Sequence, residues 1–178
     1  MDHELREALI HQYCEGPGVV SAALAGATDA ELDARPGPNE WSAREVVHHL
    51  ADSEATSYIR IRKLLAEEDP VIYGYDEAEW ARRLDYDRPI AASLAVLKSV
   101  RAATTELLRC LDEDDWKRSG THTESGPYSV ETWLGIYAAH AHDHAAQISR
   151  ARPTASAVQP PASSSGGGSR VLRRMRLA

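Results

Sequence analysis

Five of the eight histidines in this chain fall in two short segments: the pair His48-His49, and His140, His142 and His144 within Tyr137-Ala-Ala-His140-Ala-His142-Asp143-His144-Ala-Ala-Gln147. Imidazole is the commonest protein ligand for zinc, nickel and iron. His140 and His144 are spaced i, i+4, so on a helix they project from one face about one turn apart. A helix offers two ligands to one ion in this way in His-Glu-x-x-His zinc motifs, although the glutamate of that motif is absent here. His142 lies about 200° around the same helix and is not expected to join them. A third ligand must then come from a separate helix. His48 and His49 are adjacent, so only one can face inward. His49 shares its face with Asp52, Ser53 and Thr56, while His48 points to the flank. Three neutral imidazoles would leave a divalent ion with open positions and its full +2 charge, as in catalytic rather than structural sites. Such a centre acidifies water toward a pKa of roughly 7, or takes a low-molecular-weight thiol as its thiolate. Hydrolysis and thiol transfer both stay open on this pattern. Zinc and nickel are the ions best suited to the ligand set, with cobalt also accepted.

Such a site needs rigid elements to carry it. Leu5, Leu9 and Tyr13 predict an amphipathic helix over residues 3–14, which Gly16-Pro17-Gly18 breaks or kinks before helical composition resumes over 19–24. Pro36-Gly37-Pro38-Asn39 is a loop. Ser42 and Glu45 form a capping box that starts a helix running to about Glu67, with Val46, His49, Leu50, Ser53, Ile59 and Leu64 inward. Asp69-Pro70 ends it. A loop with a short helix follows over 70–87. A long helix then runs from Pro89 to about Leu111, with Leu94, Leu97, Val100, Thr104, Leu107 and Leu108 as its buried stripe. After a polar connection with a turn at Asp114-Asp115-Trp116, Ser129 caps a last helix that carries the histidines to about Arg150. Period-2 runs are absent, so almost no strand is expected. Four principal helices predict an all-α antiparallel four-helix bundle over residues 1–152. Residues 153–178, rich in Pro, Ser and Gly with a basic end, read as a disordered tail.

Composition narrows the function classes. At 178 residues with 43% hydrophobic content, one domain with a real core is expected. The net charge of −7 is uneven: residues 151–178 hold five arginines and no acid (+5), leaving −12 on residues 1–150. An acidic body argues against nucleic-acid binding. No apolar run approaches the roughly 20 residues that span a bilayer, and the start lacks a signal-peptide pattern, so a cytoplasmic protein without membrane partners is expected. Cys14 and Cys110 read as small core side chains, without metal or redox spacing. His3 and His11 read as surface residues. Trp41, Trp116 and Trp133 read as packing residues rather than an aromatic cage.

Several blocks also resemble the DinB-like superfamily, and within it the YfiT-type branch of metal-dependent hydrolases and thiol S-transferases. They are Trp41-Ser42-Ala-Arg44-Glu45-Val-Val-His48-His49-Leu-Ala-Asp52-Ser53, Tyr58-Ile-Arg60, Tyr75-Asp76-Glu77-Ala-Glu-Trp80-Ala81, His122-Thr-Glu124-Ser-Gly126 and the last histidine segment. They keep their order and spacing across residues 36–150. The resemblance implies a four-helix bundle, a homodimer, and a divalent metal on His49, His140 and His144. It favours thiol transfer slightly, since several branches are thiol-dependent. This chain departs from the family pattern at Ala139, Ala141, Asp143 and Gln147, where tryptophan, glycine and two histidines are common. Candidate catalytic residues are Asp52, which could orient a ligand histidine or act near the metal, and Arg60 and Tyr137, which could line the mouth of the site. The partner implied is a small-molecule substrate, with a low-molecular-weight thiol as one option. The alternative is a non-catalytic metal-binding stress or interaction protein.

Overall fold

The computed structural model describes residues 1–152; the tail expected over 153–178 lies outside the described residues. Helix α1 (His3–Ala23) opens on Asp2, whose carboxylate accepts from the Leu5 amide at 2.8 Å. It runs without interruption through Gly16-Pro17-Gly18, where the sequence predicts a break or kink. Pro17 has no N–H and cannot bond the Tyr13 carbonyl one turn back. That carbonyl accepts instead from Arg101 Nη1 at 2.8 Å. A Cβ on residue 16 would overlap the same guanidinium, so glycine makes room for the group that replaces the missing helix bond.

The short α2 (Asp29–Asp33) carries its own capping box and leads to α3 (Ala43–Ala66). The α3 start is as expected: Glu45 N donates to Ser42 Oγ at 3.2 Å, and Ser42 N to Glu45 Oε2 at 2.8 Å. The chain continues through β1 (Val71–Ile72), α4 (Glu77–Arg83), α5 (Ala91–Leu108), α6 (Glu113–Trp116), β2 (Ser119–His122), β3 (Gly126–Ser129) and α7 (Val130–Ala151). Ser129 caps α7 by accepting from Thr132 N at 3.0 Å.

Helices α1, α3, α5 and α7 form the bundle, each packed on two neighbours in the cyclic order α1, α7, α3, α5. The Met1 ammonium meets Glu131, and Arg152 Nη1 reaches the Ala23 carbonyl, so α1 and α7 run parallel. His48 meets Ser93 and Glu54 meets Arg101, so α3 and α5 also run parallel. His49 lies against His144 and the Ser57 carbonyl accepts from Trp133 Nε1, so α3 and α7 are antiparallel. The antiparallel bundle is thus made of two parallel pairs, and the α3–α5 connection has to cross the length of the molecule.

That connection supplies β1, and the α5–α7 connection supplies β2 and β3, of a three-stranded sheet that the sequence did not predict. β1 pairs parallel with β2, and β2 pairs antiparallel with β3, placing Gly120 opposite Tyr128 and His122 opposite Gly126. Gly126 sits at φ +78 in the hairpin, a conformation open to glycine. Gly120 lies against Pro70, where a side chain would collide with the Pro70 carbonyl and ring. These strands are short and Ser-Gly-Thr-His shows no apolar alternation, so no period-2 signal exists to detect.

The core has two clusters, one around Tyr13, Ile61, Leu108, Trp133 and Leu134, the other around Val20, Val47, Leu50, Leu97 and Ile148. Where one gives way to the other lies a charged pair, Arg101 (1% exposed) and Glu54 (0%). Arg101 Nε and Nη2 donate to Glu54 Oε1 at 2.8 and 2.5 Å, Nη2 also donates to the Tyr137 carbonyl at 2.8 Å, and Tyr13 Oη donates to Glu54 Oε2 at 3.0 Å. Other expectations need correction. Cys14 and Cys110 are exposed rather than core residues. Ile59, expected inward, is 55% exposed.

Candidate metal centre

His49 comes from α3, and His140 and His144 from successive turns of α7, the face that packs on α3. Each offers a ring nitrogen, and the three nitrogens lie within 4.8 Å of one another. The rings meet edge to face, with centroids 4.5 Å apart for His140–His144, 4.8 Å for His49–His144 and 5.4 Å for His49–His140. His144 Nε2 and His140 Nε2 are 3.1 Å apart. Two nitrogens about 2.1 Å from a shared ion stand about 3.0 Å apart at a right angle and about 3.4 Å at the tetrahedral angle. The observed separation falls between these values.

Proton placement agrees with that fit. His144 Nδ1 faces the Gln147 side-chain oxygen at 2.7 Å and donates to it, which leaves the Nε2 lone pair directed at His140. Gln147, where the family pattern often has another histidine, therefore orients a neighbouring ring. His140 Nδ1 is buried without a partner, so either tautomer of His140 leaves one of its nitrogens unsatisfied among the described residues. A cation shared by the two Nε2 lone pairs satisfies that facing pair and fixes the His140 proton on Nδ1. Burial keeps all three rings neutral. Desolvation lowers His49 to about 4, aided by His144, and lowers His140 to about 2, aided by His144, His49 and Arg101. It also lowers His144.

The remaining histidines are employed elsewhere. His48, expected on the flank, is fully buried as well, on the part of α3 that meets α5, its Nδ1 2.8 Å from Ser93 Oγ and its Nε2 2.9 Å from the Arg88 carbonyl. The carbonyl can only accept, so Nε2 carries the proton and Nδ1 takes the serine hydroxyl. His142 turns to α1, where Nε2 donates to the Gln12 carbonyl at 3.0 Å. His3 and His11 are exposed, as expected. Trp41 packs its ring 4.8 Å from His49 and walls that side.

Beside His140 opens a cavity of about 200 Å³, whose lining includes Ser53, Arg60, Tyr75, Glu77, Glu124 and Tyr137. Arg60 and Tyr137, two of the expected candidates, meet there: Arg60 Nη1 donates to Tyr137 Oη at 3.0 Å, and Nη2 to the Tyr73 carbonyl at 2.6 Å. Asp52 is not among them. Its carboxylate accepts from Tyr86 Oη at 2.6 Å, and it lines a neighbouring groove with Ile59 and Trp80. His122, Glu124, Tyr75 and Glu77 lie in blocks that carry the family resemblance, but no spacing marks them as site residues; the unpredicted sheet and the loop over 73–77 bring them here. Desolvation raises the Glu77 carboxyl, opposed by Arg60 and reinforced by Glu124. Desolvation also pushes Tyr75 up to about 12.

The sequence profile of the DinB superfamily matches residues 12–148, a span that holds all three clustered histidines. The chain belongs to the DinB superfamily. Among its DinB relatives, a protein of Oceanobacillus iheyensis is 36% identical over 151 residues, covering 83% of this chain and 88% of the relative. YfiT of Bacillus subtilis is 37% identical over 147 residues, covering 82% and 83%. Both are named as candidate metal-dependent hydrolases. The solved structure of Bacillus subtilis YfiT, described as a probable metal-dependent hydrolase with an unusual four-helix bundle topology, superposes with a TM-score of 0.79 at 36% identity, covering 83% of this chain and 86% of that one. The four-helix DinB fold is therefore shared, and a divalent metal is the cofactor that the relatives' names and the three-histidine cluster together support. No helix among the described residues is long and apolar enough to cross a membrane.

Proposed function

We propose that this protein is a metal-dependent hydrolase of a small molecule, with one divalent ion, zinc or nickel, on His49, His140 and His144. The observation that carries the reading is the convergence of three ring nitrogens within 4.8 Å, held neutral by burial, beside a polar cavity. A divalent ion on three neutral imidazoles keeps its +2 charge and supplies Lewis acidity and acidified water. The chain's own groups complete the chemistry. Arg60, anchored on Tyr137 Oη and the Tyr73 carbonyl, fixes a positive charge in the cavity wall that draws in and positions the substrate. Glu77, with its carboxyl raised by desolvation, accepts a proton from water and returns it to the leaving group.

The same ligand set would take a low-molecular-weight thiol as its thiolate, giving transfer to an electrophile. Hydrolysis is preferred because the cavity presents two carboxylates, Glu77 and Glu124, and proton transfer uses them. Elemental analysis of untagged protein, paired with a panel of small esters and amides and a panel of thiols with electrophiles, tests the proposal. We expect about one ion per chain, lost in His49→Ala, His140→Ala and His144→Ala with helix content retained, and hydrolysis lost with the ion. An ion retained in all three variants, or full hydrolysis after chelation, would overturn it. Thiol consumption without hydrolysis would replace hydrolysis by transfer.

A further inference from the structure

We propose that the cavity beside His140 holds its substrate through a carboxylate, with Arg60 and Tyr75 as the donors. The inference rests on the proposed reaction centre, which makes this cavity the substrate's place. Its volume of about 200 Å³ is the liquid share of roughly six or seven waters, so the group held inside is small.

Eight side-chain polar atoms are buried without a partner among the described residues, and three belong to residues lining this one cavity: Arg60 Nε, Tyr75 Oη and His140 Nδ1. Folded proteins keep few such atoms. Three around a single cavity point to a ligand that pairs them. Setting aside His140, a residue of the metal cluster, leaves two donors. Arg60 Nε–H can only donate, and Tyr75 O–H has its proton free to give. The guanidinium carbon stands 5.8 Å from the Tyr75 ring centroid, so the two donors share one wall. Both terminal nitrogens of Arg60 already donate to uncharged oxygens, Tyr137 Oη and the Tyr73 carbonyl. The wall thus offers a positive charge and two unused donors, and the complement is an anion with two acceptor oxygens.

The charge of that anion is bounded by carboxylates in the same cavity. Gly74 has no side chain, and the Glu124 carboxylate occupies the space where one would be, against the loop that carries Tyr75. Glu77 lines the same cavity. Two carboxylates repel a dianion about twice as strongly as a monoanion at equal distance. A carboxylate therefore fits better than a phosphate.

The Arg60 Nε–Hε signal in ¹H–¹⁵N spectra of the zinc-loaded full chain reports directly on this contact. Acetate, the neutral isostere acetamide and inorganic phosphate are titrated in turn, into wild type, Arg60→Lys, Tyr75→Phe and His140→Ala. We expect acetate to shift the Arg60 signal in wild type and in His140→Ala, with acetamide and phosphate at least tenfold weaker. Acetate affinity, followed on backbone amides of the cavity wall, should fall at least tenfold in Arg60→Lys and severalfold in Tyr75→Phe. Phosphate binding as well as acetate, or acetate affinity unchanged in both Arg60→Lys and Tyr75→Phe, overturns the proposal. Acetate binding that vanishes in His140→Ala alone is coordination to the metal and also overturns it. Failure of the hydrolase reading shows separately: acetate still binds at Arg60 while no ester or amide is turned over.

Discussion

Burial holds His49 and His140 neutral in the folded chain, and acid should exploit this once the metal is removed. Their folded values of about 4 and about 2 lie below the ordinary 6.5. A base with a depressed folded pKa binds its proton more tightly when unfolded. Its contribution is therefore fully present above 6.5 and is lost as pH falls toward the folded value. At pH 5 the loss is about 2 kcal/mol for each histidine, about 4 kcal/mol together. Against a total stability of roughly 5–15 kcal/mol this is large. In a domain of this size each kcal/mol moves Tm by roughly 2–4 °C. Thermal unfolding followed by circular dichroism in chelator, at pH 7.5 and pH 5, compares wild type with the double variant His49→Gln, His140→Gln. The wild type should fall by at least about 8 °C more than the variant over this interval, because carboxylate titration elsewhere is common to both. Equal falls would refute the argument that the cluster is held neutral by desolvation.

Three further outcomes follow from the packing. Arg101→Met should cost about 3–5 kcal/mol in urea unfolding, since it leaves the Glu54 carboxylate without its partner inside the core; a loss below about 1 kcal/mol would show that the pair is dispensable. Gly16→Ala should destabilise by at least about 1 kcal/mol because its Cβ meets Arg101 and Ala141. Helix propensity alone predicts a gain of about 1 kcal/mol, so the sign of the change decides the matter. His142→Ala and His48→Gln should keep the full metal content, as their ring nitrogens are engaged with Gln12, Ser93 and Arg88; loss of metal in a folded variant of either would reassign the cluster.

Much of this architecture is local, and local features were legible. Ser42 with Glu45, and Ser129 ahead of α7, satisfy helix ends within three residues, and the i, i+4 histidines share a face for the same short-range reason. What escaped depends on distant partners. Gly16-Pro17-Gly18 looks like a break because nothing near it can satisfy the Tyr13 carbonyl, whereas Arg101 does so from 88 positions away. Arg101 itself lies one residue past Val100 in the α5 stripe, and the Glu54 carboxylate and two backbone carbonyls that satisfy it come from other helices, far along the chain. The cavity wall escaped for the same reason. Glu124 and Tyr75 come together through Gly74 and a hairpin whose strands carry no alternation.

The Arg101 guanidinium touches all four bundle helices at once: it sits on α5, pairs with Glu54 of α3, and caps the carbonyls of Tyr13 in α1 and Tyr137 in α7. No helix can leave without stranding an ion or a carbonyl in an apolar interior, which makes every partial opening costly. Amide hydrogens in the centres of all four helices should therefore exchange through a single global event with one common free energy, instead of as separate units. The turn of α7 that carries Tyr137 ends only three residues before His140. The histidine cluster thus shares the cooperativity of the whole bundle, and it should disappear only when the entire fold does.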